Sequence, residues 1–161
     1  MSTADAPLPK APELPGPAPT VLVVRAPYYT DIVDGLRDGA LRILDEVGAT
    51  VEVLDVAGAL ELASAILFAV RGTRRRYDAF VALGCVVKGE TDHYDHVCRE
   101  AMQGLTRVGL DHALCLGNGL LTVATADQAI ERSRQDGHNK GAEAAAAALI
   151  QLRAARYLGF V

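Results

Sequence analysis

The sequence predicts an α/β protein with a parallel sheet enclosed by helices on both faces. Three observations lead to this class. Apolar runs of six to nine residues alternate with longer stretches whose apolar residues recur at helical spacing. The run at 79–87 is apolar throughout, which is typical of a strand buried on both faces. The connections are short, which favours right-handed crossovers. We expect a three-layer α/β/α sandwich of the flavodoxin-like type with four parallel strands.

The first half of the domain supplies two strands and two helices. TVLVVR at 20–25 is a β-branched run and predicts a strand, and residues 31–47 place their apolar side chains on one helical face. TVEVLDV at 50–56 repeats the strand pattern, and ALELASAILFAV at 59–70 predicts a helix that is apolar almost all round. A helix of that kind has too few polar positions for a solvent face, so we expect another subunit to cover part of it.

The second half predicts two more strands and three more helices. AFVALGCVV at 79–87 is the continuous apolar strand, residues 93–108 have helical spacing, and HALCLG at 112–117 predicts the fourth strand. A T-x-x-Q capping box opens a helix over 125–136. Strong helix formers at 141–159 predict the last helix, ended by a glycine.

The N-terminal residues differ in composition from the rest of the 161-residue chain. Residues 1–19 hold six of the seven prolines and few large apolar residues, so they predict a disordered tail. Residues 20–161 are long enough for a single domain with its own core.

Composition excludes several classes of protein. No apolar run approaches the ~20 residues that span a membrane, and the first residues lack the pattern of a signal peptide, so we expect no membrane partner and a cytoplasmic location. The formal charge of −4 gives no general attraction for nucleic acid. Cys85, Cys98 and Cys115 lie in apolar segments without CxxC spacing, which argues against disulfides and a zinc knuckle.

Ligands of open α/β sheets bind beyond the carboxyl ends of the strands, so four segments are candidates for a site. They are 26–30, 57–61, 88–95 and 117–122. The first carries two tyrosines that could stack on a planar ligand, although such a pair often only packs. The second and fourth contain glycines that either admit a ligand or simply form turns.

The third segment, KGETDHYD at 88–95, has the highest density of ionisable groups. Backbone amides of Glu90 and Thr91 at the start of a helix would form an anion site. His93 is the candidate general acid-base group, because histidine is the side chain most often used for that role. His93 and His96 are three residues apart, whereas helical zinc pairs are four apart, so a metal is disfavoured. A solvated structural turn remains the alternative explanation of the cluster.

Two later basic residues are candidates to join an anion site. Arg132 lies in the run ERSRQ, where it is either an anion ligand or part of an exposed helix face. Lys140 lies in HNKGAE, where it is either a site charge or a loop charge before the last helix.

Four blocks in order resemble a known enzyme family. They are VAGALELASAI, GCVVKGETDHYDHV, NGLLTVATADQAIERS and NKGAEAAAAAL. At these intervals, from about Val21 to Leu158, the chain is similar to the 6,7-dimethyl-8-ribityllumazine synthases of riboflavin biosynthesis. The resemblance implies a transferase that condenses 5-amino-6-(D-ribitylamino)uracil with 3,4-dihydroxy-2-butanone 4-phosphate, releases phosphate and water, and needs no metal or other cofactor.

The resemblance also assigns roles to residues. The family's acid-base histidine falls on His93, its phosphate contacts fall on the Glu90 and Thr91 backbone and on Arg132, and its supporting lysine falls on Lys140. The positions that would hold the pyrimidine and the ribityl chain are Tyr28, Ala59, Leu60, Glu61, Cys85, Val86, Val87 and Asn118.

This chain departs from the family at the first loop. The usual Arg-Phe-Asn is Pro27-Tyr28-Tyr29 here, the proline of the usual VPGA is Ala57, and Lys88 and Asn118 replace a common arginine and phenylalanine. None of these changes removes an acid-base or phosphate group. A paralogue that binds lumazine or flavin without turnover is the alternative, and retention of the proton and phosphate groups argues against it.

The resemblance implies a homopentamer or an assembly of pentamers, with sites shared between neighbouring subunits. Residues 134–138 differ from the segment of members that form closed shells, so a single pentamer is the preferred expectation.

Overall fold

The computed structural model describes residues 8–136 and 138–161, and it confirms the predicted three-layer α/β/α fold. Four parallel strands lie in the order β2-β1-β3-β4, so β2 and β4 form the two edges of the sheet. The strands are β1 Thr20–Ala26, β2 Thr50–Asp55, β3 Ala79–Val87 and β4 Leu116–Val123. The helices are α1 Thr30–Asp45, α2 Leu62–Arg71, α3 His93–Asp111, α4 Ala126–Ser133 and α5 Lys140–Tyr157, with a 3₁₀ turn at Ala59–Glu61.

The sheet separates two apolar cores. Val21 and Val23 of β1 pack with α1 and α5 on one face, whereas Leu22 and Val24 pack with α2 and α3 on the other. Side chains alternate between the faces of a strand, so β1, β3 and β4 contribute to both cores. The continuous apolar sequence of β3 follows from this burial on both sides.

The predicted fourth strand at 112–117 is wrong, because β4 begins at Leu116 and continues to Val123. Helix α3 runs to Asp111, and the chain turns there with Ala113 in the left-handed region at φ 49°. The segment 117–122, expected to be a loop beyond the strand, therefore lies inside β4.

Close packing of α5 explains why glycines occur within this strand. A Cβ at Gly117 would overlap the carbonyl oxygen of Ala144 in α5, and a Cβ at Gly119 would come within 2.7 Å of Leu83 Cδ2. Gly117 thus reflects the approach of the α5 backbone and Gly119 the approach of the Leu83 side chain, and neither glycine reflects a turn.

The other helices and strands are of the predicted type, but several begin or end at residues other than those predicted. Helix α1 ends at Asp45, and α4 ends at Ser133 and not near residue 136. The Thr125 cap of the predicted capping box is present, since the Gln128 N–H donates to Thr125 Oγ1 at 3.4 Å, whereas the Gln128 side chain accepts from the Ala124 N–H and not from that of Thr125. The predicted glycine stop is also present, with Gly159 at φ +70° and the Phe160 N–H bonded to the Ala155 carbonyl.

Residues 8–19 form neither a helix nor a strand, but they contact the domain. Arg156 of α5 donates to the carbonyls of Pro15 and Pro17 at 2.6 and 2.9 Å. Ala11 and Leu14 pack against the α1–α5 core. Residues 1–7 of the predicted tail, and residue 137, lie outside the described residues, so the division of the chain at residue 19 stays a prediction. Among the helices of the described residues, none is both long and apolar enough to cross a membrane.

Candidate active site

Tyr28 lies in the loop that follows β1. Its side chain is 77% exposed, and its ring meets that of Tyr29 edge to face with the centroids 5.1 Å apart. The Thr30 hydroxyl donates to the Pro27 carbonyl at 3.2 Å, which ties the loop to the start of α1. One aromatic face is therefore available to a ligand at the carboxyl edge of the sheet.

The residues after β2 form a 3₁₀ turn that leads into α2. Ala59, Leu60 and Glu61 make up this turn, which packs against α3. Leu60 is 49% exposed, and Glu61 is also exposed. The turn therefore lies on the same side of the sheet as α3.

The end of β3 offers backbone more than side chains. The Cys85 side chain is only 5% exposed and points into the α1–α5 core, and this burial raises the pKa of its thiol to about 11. Val86 packs towards α2 and α3, and Val87 towards the opposite core. A ligand at this edge would thus contact Cys85 through its main chain.

The segment 88–92 joins β3 to α3 without regular structure. Glu90 and Thr91 are exposed, and among the described residues their N–H groups have no protein acceptor. His93 is exposed and is the first residue of α3, with Asp92 at the N-cap. Free amides together with the positive end of a helix favour an anion at this point. Glu90, Thr91 and His93 thus lie close together in sequence at the start of one helix.

The edge strand β4 borders a second part of the candidate site. A pocket of about 360 Å³ is lined by Arg132, Lys140 and Asn118, and by Thr122, which the sequence reasoning did not assign. The Asn118 amide donates to Met102 Sδ at 3.1 Å, and its oxygen accepts from the Leu120 N–H. Placing the fourth strand too early had hidden Thr122 in a presumed loop.

The charges in this pocket have defined partners. Lys140 Nζ lies 2.7 Å from both carboxylate oxygens of Glu143, another residue that sequence reasoning missed, although its i,i+3 spacing indicates a pair. Arg132 donates to the Gln128 carbonyl at 2.9 Å and lies 3.7 Å from Glu131. Two cations and one carboxylate line the pocket, which leaves one net positive charge for an anion.

The two parts of the candidate site lie on different faces of the sheet. His93 belongs to α3, which packs with α2, whereas Lys140 belongs to α5, which packs on the opposite face with α1. Arg132 belongs to α4, which contacts α1 and α5. Neither His93, Glu90 nor Tyr28 lines the β4 pocket. The structure therefore brings together Arg132, Lys140 and Asn118, and separately Glu90, Thr91 and His93.

A larger cavity of about 540 Å³ lies between β2 and α2. Glu61 is the only predicted site residue among those that line it, and the others are mainly apolar, such as Leu54 and Phe68. Glu52 at its rim accepts a hydrogen bond from Tyr77 at 2.7 Å, and this bond lowers the pKa of Glu52. This cavity holds neither the acid-base nor the phosphate candidates.

Within residues 8–136 and 138–161, no group of three or more His, Cys, Asp or Glu side chains is arranged to hold a metal ion.

A parallel α/β sheet with an exposed loop between a strand and the following helix is typical of proteins that bind small molecules at the carboxyl edge of the sheet. A profile of the 6,7-dimethyl-8-ribityllumazine synthase family matches residues 18–156. The chain belongs to this family.

Curated relatives agree with that membership. A 6,7-dimethyl-8-ribityllumazine synthase of Afipia carboxidovorans is 43% identical over 141 residues, which cover 86% of each chain. The enzyme of Methylorubrum populi is 48% identical over 80% of this chain and 78% of its own. 6,7-Dimethyl-8-ribityllumazine synthase 1 of Rhizobium meliloti is 42% identical over 86% of this chain and 93% of its own.

Proposed function

We propose that this protein condenses 5-amino-6-(D-ribitylamino)uracil with 3,4-dihydroxy-2-butanone 4-phosphate to form 6,7-dimethyl-8-ribityllumazine. The observation that carries the proposal is the family membership, which extends over the whole span from Tyr28 to Lys140. The reaction forms an imine with loss of water, eliminates phosphate, and closes the second ring with loss of another water.

In this proposal, positioning accounts for much of the rate. Tyr28 stacks on the pyrimidine, while the backbone at 59–61 and 85–87 aligns its amine with the ketone of the four-carbon substrate. The exposure of Tyr28 and Leu60, and the position of all three segments at or just beyond the carboxyl ends of strands, support this role. Holding two reactants in this way converts a bimolecular step into an effectively unimolecular one.

The phosphate is held by neutral and charged donors together. The Glu90 and Thr91 amides bind it from one side, and Arg132 supplies the guanidinium. Lys140 acts as a supporting charge, because Glu143 already neutralises part of its field. Asn118 lies at the wall of the same pocket as Arg132 and faces the remainder of the substrate.

His93 transfers protons in this scheme. It takes a proton from the attacking amine, returns one to the departing hydroxyl during imine formation, and assists the later elimination and ring closure. Its exposure at a helix start supports this role, because the imidazole is open to a bound substrate and to solvent.

We further propose a homopentamer, or an assembly of pentamers, in which a complete site takes groups from two subunits. The separation of His93 from the Arg132 pocket within one chain supports sharing, because a neighbour that docks at the β4 edge would bring the two together. Exposed apolar side chains on α2 and β2 support assembly, with Phe68 72% and Leu54 42% exposed. Native mass spectrometry measures the size, and a monomer would contradict it. A cytoplasmic location is part of the same proposal.

The activity is tested by mixing the purified protein with both substrates and following lumazine fluorescence and phosphate release. We expect equal amounts of both products. Arg132→Gln should raise KM for the phosphate-bearing substrate, whereas Arg134→Gln, two residues along and exposed, should leave KM unchanged. Tight lumazine or flavin binding with no product would favour the non-catalytic paralogue.

A further inference from the structure

The Asn139 side chain is the most densely bonded polar group among the described residues outside the proposed substrate contacts. It is 1% exposed. Its Nδ2 lies within hydrogen-bond distance of the carbonyls of Gly35, Ser133 and Arg134, at 2.9, 2.8 and 3.1 Å. Its Oδ1 accepts from the N–H groups of residues 141 and 142 at 2.9 and 3.1 Å.

These partners belong to three helices. Gly35 lies in α1, Ser133 is the last residue of α4, and residues 141 and 142 form the first turn of α5. One amide therefore caps α5 with its oxygen and binds the end of α4 and the middle of α1 with its nitrogen. A serine or an aspartate can supply the cap, but neither supplies the nitrogen donor at neutral pH.

The positions of the bonds along the chain link this amide to the cationic pocket. Ser133, whose carbonyl accepts from Asn139, directly follows Arg132, and Lys140 directly follows Asn139. Arg132 and Lys140 line the same pocket, although they come from different helices. The Asn139 amide thus connects the end of α4, which carries Arg132, to the start of α5, which carries Lys140.

The packing around Asn139 admits little rearrangement. A Cβ at Gly39 of α1 would overlap the Asn139 carboxamide, so α1 presses directly against it. Gln135 Nε2 also donates to the Gly35 carbonyl at 2.7 Å, which adds a second polar link between this loop and α1. Since buried amides of this kind are costly to leave unpaired, the network favours one arrangement of the α4–α5 connection.

We infer that Asn139 is a positioning residue that sets the spacing of Arg132 and Lys140 for a bound phosphate. The inference rests on the proposed function for the identity of the substrate, but not for phosphate binding itself. Asn139 does not touch the substrate. It acts by holding the α4 and α5 ends at one separation, and misplacement of a binding group by about an ångström weakens binding strongly.

The test compares Asn139→Ser, which keeps a cap for α5 but loses the nitrogen donor, with Thr125→Ala, which removes the cap at the far end of α4. Both variants should lose stability. Only Asn139→Ser should weaken binding of inorganic phosphate, measured by calorimetry, and raise KM for the phosphate-bearing substrate, each by about tenfold or more. KM for the pyrimidine substrate should change less than twofold.

Asn139→Thr serves if Asn139→Ser does not fold, because it keeps a capping hydroxyl, adds no charge and loses the nitrogen donor. Unchanged phosphate affinity in a folded Asn139 variant, or equal changes in both KM values, would overturn the inference. If the unmodified protein makes no lumazine but loses phosphate affinity with Asn139→Ser, the inference stands and the proposed function fails.

Discussion

Arg25 of β1 donates two hydrogen bonds to Asp55 of β2, from Nε to Oδ1 at 2.6 Å and from Nη2 to Oδ2 at 2.8 Å. The two residues are direct partners in the parallel register. The Arg25 side chain is only 12% exposed and also donates to Asp34 of α1 at 2.6 Å. This pair therefore ties the carboxyl ends of two strands to the helix that follows Tyr28.

Arg25→Met should lower the free energy of unfolding by about 1–3 kcal/mol at pH 7, because it removes charged hydrogen bonds and leaves the Asp55 carboxylate unpaired, whereas Asp34 keeps its hydrogen bond from Arg37. Urea unfolding measures the change. Arg42→Met is the matched control, since Arg42 makes an exposed i,i+4 ion pair with Glu46 at 3.3 Å. This substitution should lower the free energy of unfolding by less than about 0.5 kcal/mol. Equal effects of the two substitutions would contradict the account.

The same pair predicts a pH dependence. The Arg25 hydrogen bonds lower the pKa of Asp55, so its contribution to stability is complete above the ordinary aspartate pKa of about 3.9 and is lost as pH falls through the lower folded pKa. The difference between the unmodified protein and Arg25→Met should hold from pH 7 to pH 5 and shrink below pH 4. A difference that stays constant down to pH 2 would show that the effect is not electrostatic.

Gly117→Ala should destabilise the protein strongly or prevent folding. The added methyl group would overlap the Ala144 carbonyl oxygen, and neither backbone can move without opening the contact between β4 and α5. Thermal unfolding measures the loss. Gly109→Ala in α3 is the control, because its Cβ meets only ordinary contacts at 3.5 Å and beyond, and alanine suits a helix. A stable Gly117→Ala variant would mean that α5 lies further from the sheet.

The sequence was enough to predict the order of elements, the sheet type and the histidine segment. Apolar periodicity reflects burial, and each element buries enough of its own surface to leave a clear pattern. β4 was misplaced because two glycines resemble a turn in sequence. Gly117 instead leaves room for a helix more than twenty residues further along, and Gly119 leaves room for the Leu83 side chain of the neighbouring strand. Periodicity within one element cannot reveal which backbone packs against it.

The site was predicted less completely for a similar reason. The proposed anion loop at Glu90 and Thr91 consists of neighbouring residues, so it could be proposed from the sequence. The roles of Asn139 and Glu143 depend on contacts between helices or on pairing within a pocket. In the sequence, Asn139 is one more polar residue before a helix, and its nitrogen partners are residues of α1 and α4.

Tyr28→Ala should raise KM for the pyrimidine substrate by about tenfold, because stacking of a base on an aromatic ring contributes ~1–3 kcal/mol. Tyr28→Phe keeps the ring and should change KM by less than twofold. Steady-state kinetics at saturating phosphate-bearing substrate measures both. If Tyr28→Phe impairs binding as much as Tyr28→Ala, the hydroxyl and not the ring face contacts the substrate.

His93→Ala should slow turnover by about 10²–10⁴-fold without abolishing it, since proton transfer is lost while orientation of the substrates survives. The control is His96→Ala, one turn along the same exposed face of α3, which should retain the full rate. Lumazine fluorescence under saturating substrates measures kcat. An unchanged rate in His93→Ala would remove this residue from the proton-transfer steps.

The central claim is that the His93 segment and the Arg132 pocket form one active site across two subunits. The most direct measurement is the activity of oligomers assembled from equal amounts of His93→Ala and Arg132→Gln chains. At a concentration of the phosphate-bearing substrate far below the KM of Arg132→Gln, both separate variants should be nearly inactive. In a ring with heterologous interfaces, about a quarter of the sites would then combine an intact His93 with an intact Arg132, and activity should rise towards about a quarter of that of the unmodified protein. Activity no greater than the average of the two separate variants would contradict the shared site.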